Sequence, residues 1–209
     1  MAIDLTPHLD PAHTAVVALE VQQHMLDPNT ALIPGVAAHA EAVGLIDHVA
    51  ALMAAARRVG APVVYVCDER REDGKGAVKN LMIGRAIAGA DSRSWSHGPI
   101  HPALLPLDGD ILLGREHGMT GFYTTPLDAY LRNLDVTTVI LVGVSANIAV
   151  TGTAIEAMNL GYRVIVPNDC IAGDPPEYVQ QLLKYTIRNV AMVAPVQSVL
   201  DHWAGLPAA

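Results

Sequence analysis

Six short runs of Val, Ile and Leu, each one strand long and apolar almost without interruption, constrain this chain more than any other feature. They are Thr14 to Glu20, Pro62 to Cys67, Asp110 to Arg115, Thr137 to Val144, Tyr162 to Pro167 and Asn189 to Val193. A strand with one wet face alternates apolar and polar residues. A strand covered on both faces need not, and that is the pattern of a parallel sheet held between helices. The intervals are helical in pattern. Ala37 to Val59 is rich in Ala and Leu and stops at Gly60, with Pro62 beyond it. Pro126 to Asn133 follows Thr124 and Thr125, either of which could cap it. Ala146 to Leu160 ends at Gly161, and Pro175 to Ile187 follows Asp174. This alternation predicts an α/β fold: a doubly wound, six-stranded, mainly parallel sheet with helices on both faces. At 209 residues, one domain over 1–209 is expected. Asp68 to Pro106 breaks the rhythm, charged at first and then rich in Gly, Ser, His and Pro. It reads as a loop with one short helix, at a site rim or a subunit contact.

Composition narrows the partners. Acids outnumber bases 21 to 13, for a net charge of −8, and the bases are scattered, so nucleic acid is not an expected partner. No apolar run approaches the roughly 18 residues of a membrane span, and Met1 to Asp10 lacks the pattern of a signal peptide. Cys67 and Cys170 form no Cys-x-x-Cys pair and read as reduced thiols, so a soluble cytoplasmic protein is expected. A 51% hydrophobic, 16% charged composition implies much buried surface, consistent with a homo-oligomer, dimer or tetramer.

In doubly wound sheets ligands bind at the carboxyl ends of the strands, so the chemistry is sought there. The first run closes on Glu20-Val21-Gln22, either a site carboxylate or a solvated strand end. The turn after it has no glycines and no Gly-Lys-Ser/Thr occurs, which argues against dinucleotide and P-loop binding, and no cofactor is expected. The third run ends Gly114-Arg115-Glu116-His117-Gly118, followed by Gly121-Phe122: a dense set of charges, or a solvated turn, spaced by glycines that permit close backbone approach. The fourth passes from Gly143-Val144-Ser145 into Ala146-Asn147-Ile148-Ala149, where a helix start can present N–H groups to an anion or simply pack tightly on the sheet. His97 and His101 are four apart, but Pro99 and Pro102 oppose a helix there, and no metal site is expected.

These strand ends, in this order, resemble the isochorismatase-like hydrolases of the cysteine hydrolase superfamily. Thr14 to Gln22 resembles their opening strand, which ends in a catalytic Asp followed two residues later by Gln. Gly109 to Arg115 resembles the strand ending in their catalytic Lys, with Gly121-Phe122 and Leu127 in the segment after it. Gly143 to Val150 with Thr153-Ala154 is similar to their nucleophile loop, and Gly161 to Asp169 to the strand that follows.

The resemblance places different residues at all three catalytic positions. Glu20 stands at the Asp position. The Lys position is Arg115 counted from Asp110 but Glu116 counted from Phe122. The cysteine position is Ala149, which has no nucleophilic atom. The His-rich metal segment of the nicotinamidase branch has no counterpart in Cys67 to Asp73. Isochorismatases proper also lack the cysteine and hydrolyse a vinyl ether with an acid and a positioned water. The resemblance therefore implies a hydrolase of a small organic substrate working by general acid/base chemistry. Glu20 would be acid or base, Arg115 or Glu116 its partner, and Gln22, His117, Phe122, Ser145 and Asn147 would form the lining. Glu116 beside Glu20 would raise one carboxyl pKa, whereas Arg115 there would lower it. Asp replaced by Glu shifts a carboxylate by about 1 Å, enough to cost on the order of 10²-fold if the pocket is not rebuilt. A catalytically silent member that binds a small molecule or a protein is the alternative.

Overall fold

The computed structural model describes residues 4–69 and 98–209, together with residues 71, 73, 75, 78, 80 and 82. Most of the segment between Asp68 and Pro106, His97 included, lies outside the described residues.

The described elements are seven strands and seven α-helices. The strands are β1 Thr14–Leu19, β2 Val63–Asp68, β3 Ile111–Arg115, β4 Thr138–Val144, β5 Arg163–Pro167, β6 Ile171–Ala172 and β7 Met192–Ala194. The helices are α1 Gln23–Leu26, α2 Pro34–Ala42, α3 Leu45–Arg58, α4 Leu127–Asn133, α5 Thr151–Asn159, α6 Pro176–Tyr185 and α7 Val196–Ala204. The sheet is parallel throughout, in the order β3-β2-β1-β4-β5-β7, with β6 pairing the end of β4. The expected six strands thus become seven, because two-residue β6 is too short to leave a pattern in the sequence.

The apolar runs are explained by two-sided burial. Every residue of β1 and of β4 is buried. Along β1, Val16 and Ala18 join one core with Val49 and Leu52 of α3 and Val199 and Trp203 of α7. Ala15, Val17 and Leu19 face the other way, into a core with Leu131 of α4, Ala154 of α5 and Leu182 of α6. Alternate side chains point to opposite faces, so both faces demand apolar residues.

Two helices differ from expectation. The single helix expected over Ala37 to Val59 is two, α2 and α3, bent by 65° around Gly44, which takes φ +65. That left-handed conformation suits glycine and ends a right-handed helix. The helix expected over Ala146 to Leu160 opens instead as a π-helical turn, Ala146–Val150, before α5. Among the described residues no single helix is long and apolar enough to cross a membrane.

Strand order positions the site. From β1 the chain winds outward to β2 and β3, then crosses back to β4 and continues through β5 to β7. The reversal falls between β1 and β4, and in doubly wound sheets the carboxyl edge at such a reversal is where ligands bind. At that crossing Gly143 adopts φ +104, and a Cβ there would overlap the Leu19 carbonyl oxygen. Only glycine lets β4 run this close to the end of β1.

Candidate active site

Glu20, one residue past β1, still donates its backbone N–H to Val66 at 3.0 Å and then turns with φ +51. This is an uncommon conformation for a residue with a side chain. It leaves the carboxylate buried, with the residue 7% exposed, at the carboxyl edge of the sheet. Arg115 closes β3, two strands away, and is equally buried. Its Nη2 lies 2.5 Å from Glu20 Oε1 and 3.5 Å from Asp68 Oδ1. The guanidinium thus crosses above β2 and joins the ends of three adjacent strands.

Register selects the arginine. Asp68 of β2 pairs with Arg115 of β3, and Glu116, one residue on, is exposed. Arg115, not Glu116, therefore faces Glu20. Burial alone would lower the pKa of Arg115, but the carboxylates of Glu20 and Asp68 more than offset it and the value is raised. Its Nε and Nη1 are buried and have no hydrogen-bond partner. A buried donor left unmet costs about 1–3 kcal/mol, more when charged, so the site holds N–H groups that an acceptor can satisfy.

Asp68 is the site residue that sequence reasoning missed, although the signal was the one applied to Glu20: a charge closing an apolar strand. Burial first, and then the charges of Glu69 and Glu20, push the thiol of Cys67 beside it up to about 11, which disfavours the nucleophilic thiolate. Cys170 is fully buried and its thiol is also pushed upward, mainly by burial.

The other predicted residues divide. Ala149 is buried in the π-helical turn that follows β4, and Ser145 is half-buried just before that turn. Both lie at the carboxyl edge beside β1. The Val144–Ser145 peptide is cis. Gln22 is at the same edge, but its amide is engaged with backbone: it donates to Asp68 O at 3.1 Å and Gly98 O at 2.7 Å, and accepts from Asp68 N at 2.7 Å. It holds the end of β2 against the incoming chain. Asn147 likewise clamps Asp174, donating to its carbonyl at 2.6 Å and accepting from its N–H at 3.0 Å. His117 turns onto Tyr123, with ring centroids 5.9 Å apart. Phe122 stacks at 5.8 Å on Tyr162, which precedes β5 and so lies at the opposite, amino edge of the sheet. His101 accepts from Ala103 N at 3.3 Å, capping a short turn. Among the described residues no group of three or more His, Cys, Asp or Glu could hold a metal.

The arrangement is a buried carboxylate–guanidinium–carboxylate cluster at a topological switch point, with two guanidinium N–H groups that have no acceptor. It can accept a proton, return it, and stabilise negative charge on an oxygen. Comparison with known proteins gives the family. Residues 14–199 match the isochorismatase domain. The uncharacterized isochorismatase family protein YecD of Escherichia coli is 27% identical, over 90% of this chain and 95% of its own. The ureidoacrylate amidohydrolase RutB of Methylobacterium radiotolerans is 29% identical, over 96% of this chain and 84% of its own. The crystal structure of a cysteine hydrolase from Pseudomonas syringae superposes with a TM-score of 0.80 at 24% identity, covering 93% of this chain and 94% of that one.

Proposed function

Because the chain belongs to the isochorismatase family and is by that kinship a hydrolase, we propose that it hydrolyses a small organic substrate by general acid/base catalysis at Glu20, without a cysteine nucleophile. The observation that carries this reading is the buried ion pair between Glu20 and Arg115 at 2.5 Å. Ala149, at the position the resemblance gives to the cysteine, has no atom that could attack, so the attacking atom is the oxygen of water.

An ion-paired carboxylate is a proton acceptor before it is a donor. Glu20 takes one proton from water as its oxygen bonds to the electrophilic carbon, and returns it to the leaving group as the bond to that group breaks. The unmet Nε and Nη1 donors of Arg115 stabilise the oxygen that gains negative charge. This order favours attack on a polarised carbonyl. A vinyl ether needs the carboxyl protonated first, which the neighbouring guanidinium opposes. The name of RutB, an amidohydrolase, supports the same preference.

Glu20→Gln keeps the size of the side chain and removes the proton transfer. Turnover should fall by about 10²–10⁴-fold, with KM little changed because mainly transition-state stabilisation is lost. The assay runs wild type and variant on a panel of amides, lactones and vinyl ethers. Robust hydrolysis surviving Glu20→Gln would defeat the mechanism. No turnover of any substrate, with ligand affinity governed by Arg115, would make this a binding site.

A further inference from the structure

The pairing of the arginines singles out one place on the far side of the sheet. Arg57 binds Asp110, Arg58 the carbonyls of Trp203 and Leu206, Arg71 Asp73, Arg115 Glu20 and Asp68, and Arg132 Asp128. Among the described residues only Arg163 and Arg188 hold no acceptor, and both line one cavity of about 370 Å³. It lies at the amino edge, between the start of β5 and the stretch that leads into β7, with His8, Tyr162 and Asn189 in its wall.

No carboxylate lines this cavity, although acids outnumber bases 21 to 13 in the chain. His8 Nδ1 is buried there without a hydrogen-bond partner. The Tyr162 hydroxyl donates to Asp128 at 2.8 Å, and that carboxylate is already paired with Arg132. A neighbouring cavity of about 480 Å³ shares Arg188 and adds Lys184. Two guanidinium groups at one cavity, neither matched by a carboxylate, are complementary to an anion with two charges. A phosphate group carries about −1.5 to −2 at neutral pH, whereas a carboxylate carries one.

We propose that this cavity binds a phosphate group, free or at the end of a small molecule, gripped by Arg163 and Arg188 with His8 as a third contact. The site lies on the sheet edge opposite Glu20 and does not depend on the reading of that edge.

Isothermal titration of the full chain at low salt with inorganic phosphate and with phenyl phosphate tests it, with phenol as the uncharged control. At least one of the two phosphates should bind with Kd near or below about 1 mM. The Arg163→Gln/Arg188→Gln double variant should weaken that binding by about tenfold or more. Arg71→Gln removes the same charge from a paired arginine that does not line this cavity and should leave it unchanged, and Arg188→Lys should retain part of it. Tighter binding of phenyl phosphate would identify a phosphate ester as the ligand, and tighter binding of inorganic phosphate the free ion. The proposal is overturned if neither binds at about 10 mM, if phenol binds as well, or if Arg71→Gln weakens binding as much as the folded double variant does. Circular dichroism confirms that each variant is folded.

Discussion

At the end of β1 a glutamate reaches a guanidinium that starts two strands away, and the pair is buried almost completely. Which neighbour made that contact, Arg115 or Glu116, was not legible in the sequence. A shift of one residue in a strand moves a side chain to the other face, and only the pairing of Asp68 with Arg115 sets the register. Cys67 is the residue where environment decides reactivity. With the thiol pushed up to about 11, the thiolate forms only as pH rises through that value. Carboxamidomethylation by iodoacetamide at pH 8 should be roughly 10²-fold slower than for free cysteine and should accelerate toward pH 11. Hydrolytic activity should survive the treatment at pH 8. Rapid, stoichiometric inactivation there, traced by mass spectrometry to Cys67, would mean that a thiol takes part after all.

At the scale of elements, two glycines with positive φ do different work. Gly44 separates α2 from α3, and a Cβ there would meet the His48 ring at an ordinary 3.5 Å. Gly44→Ala should therefore cost only the left-handed conformation, about 1–2 kcal/mol. Gly143 lies against the backbone of Leu19, where an added Cβ has no room. Gly143→Ala adds a collision between β4 and β1 to the conformational cost and should exceed about 4 kcal/mol or abolish soluble expression. Urea midpoints for the two variants decide this, and equal effects would show that the β1–β4 crossing yields. The expectation of one long helix failed at Gly44 because composition records helix preference, whereas the bend comes from packing two segments onto one sheet face.

Over the whole molecule, the two ends of the chain close on each other. Trp203 of α7 is fully buried and donates its indole N–H to the Leu9 carbonyl at 2.9 Å. Arg58 of α3 holds the carbonyls of Trp203 and Leu206. This closure covers one face of the central strands, so Trp203→Ala should cost about 3–5 kcal/mol while leaving the kcat of the folded fraction intact. Chemical denaturation measures the first and active-site-normalised kinetics the second. A loss below about 1 kcal/mol would show that the C-terminal helix is peripheral to the fold.

The apolar runs, by themselves, determined an α/β chain with a parallel sheet covered on both faces, and they placed Glu20 at the carboxyl end of its first strand. Those are local facts, because strand period and two-sided burial are written in consecutive residues. Tertiary structure alone decided that Asp68 shares Arg115 with Glu20, and that Gln22 and Asn147 clamp backbone. It alone stacked Phe122 on Tyr162 and left Arg163 and Arg188 beside one cavity without a carboxylate. Each of these depends on which strands become neighbours and in what register, and local patterning does not carry that information.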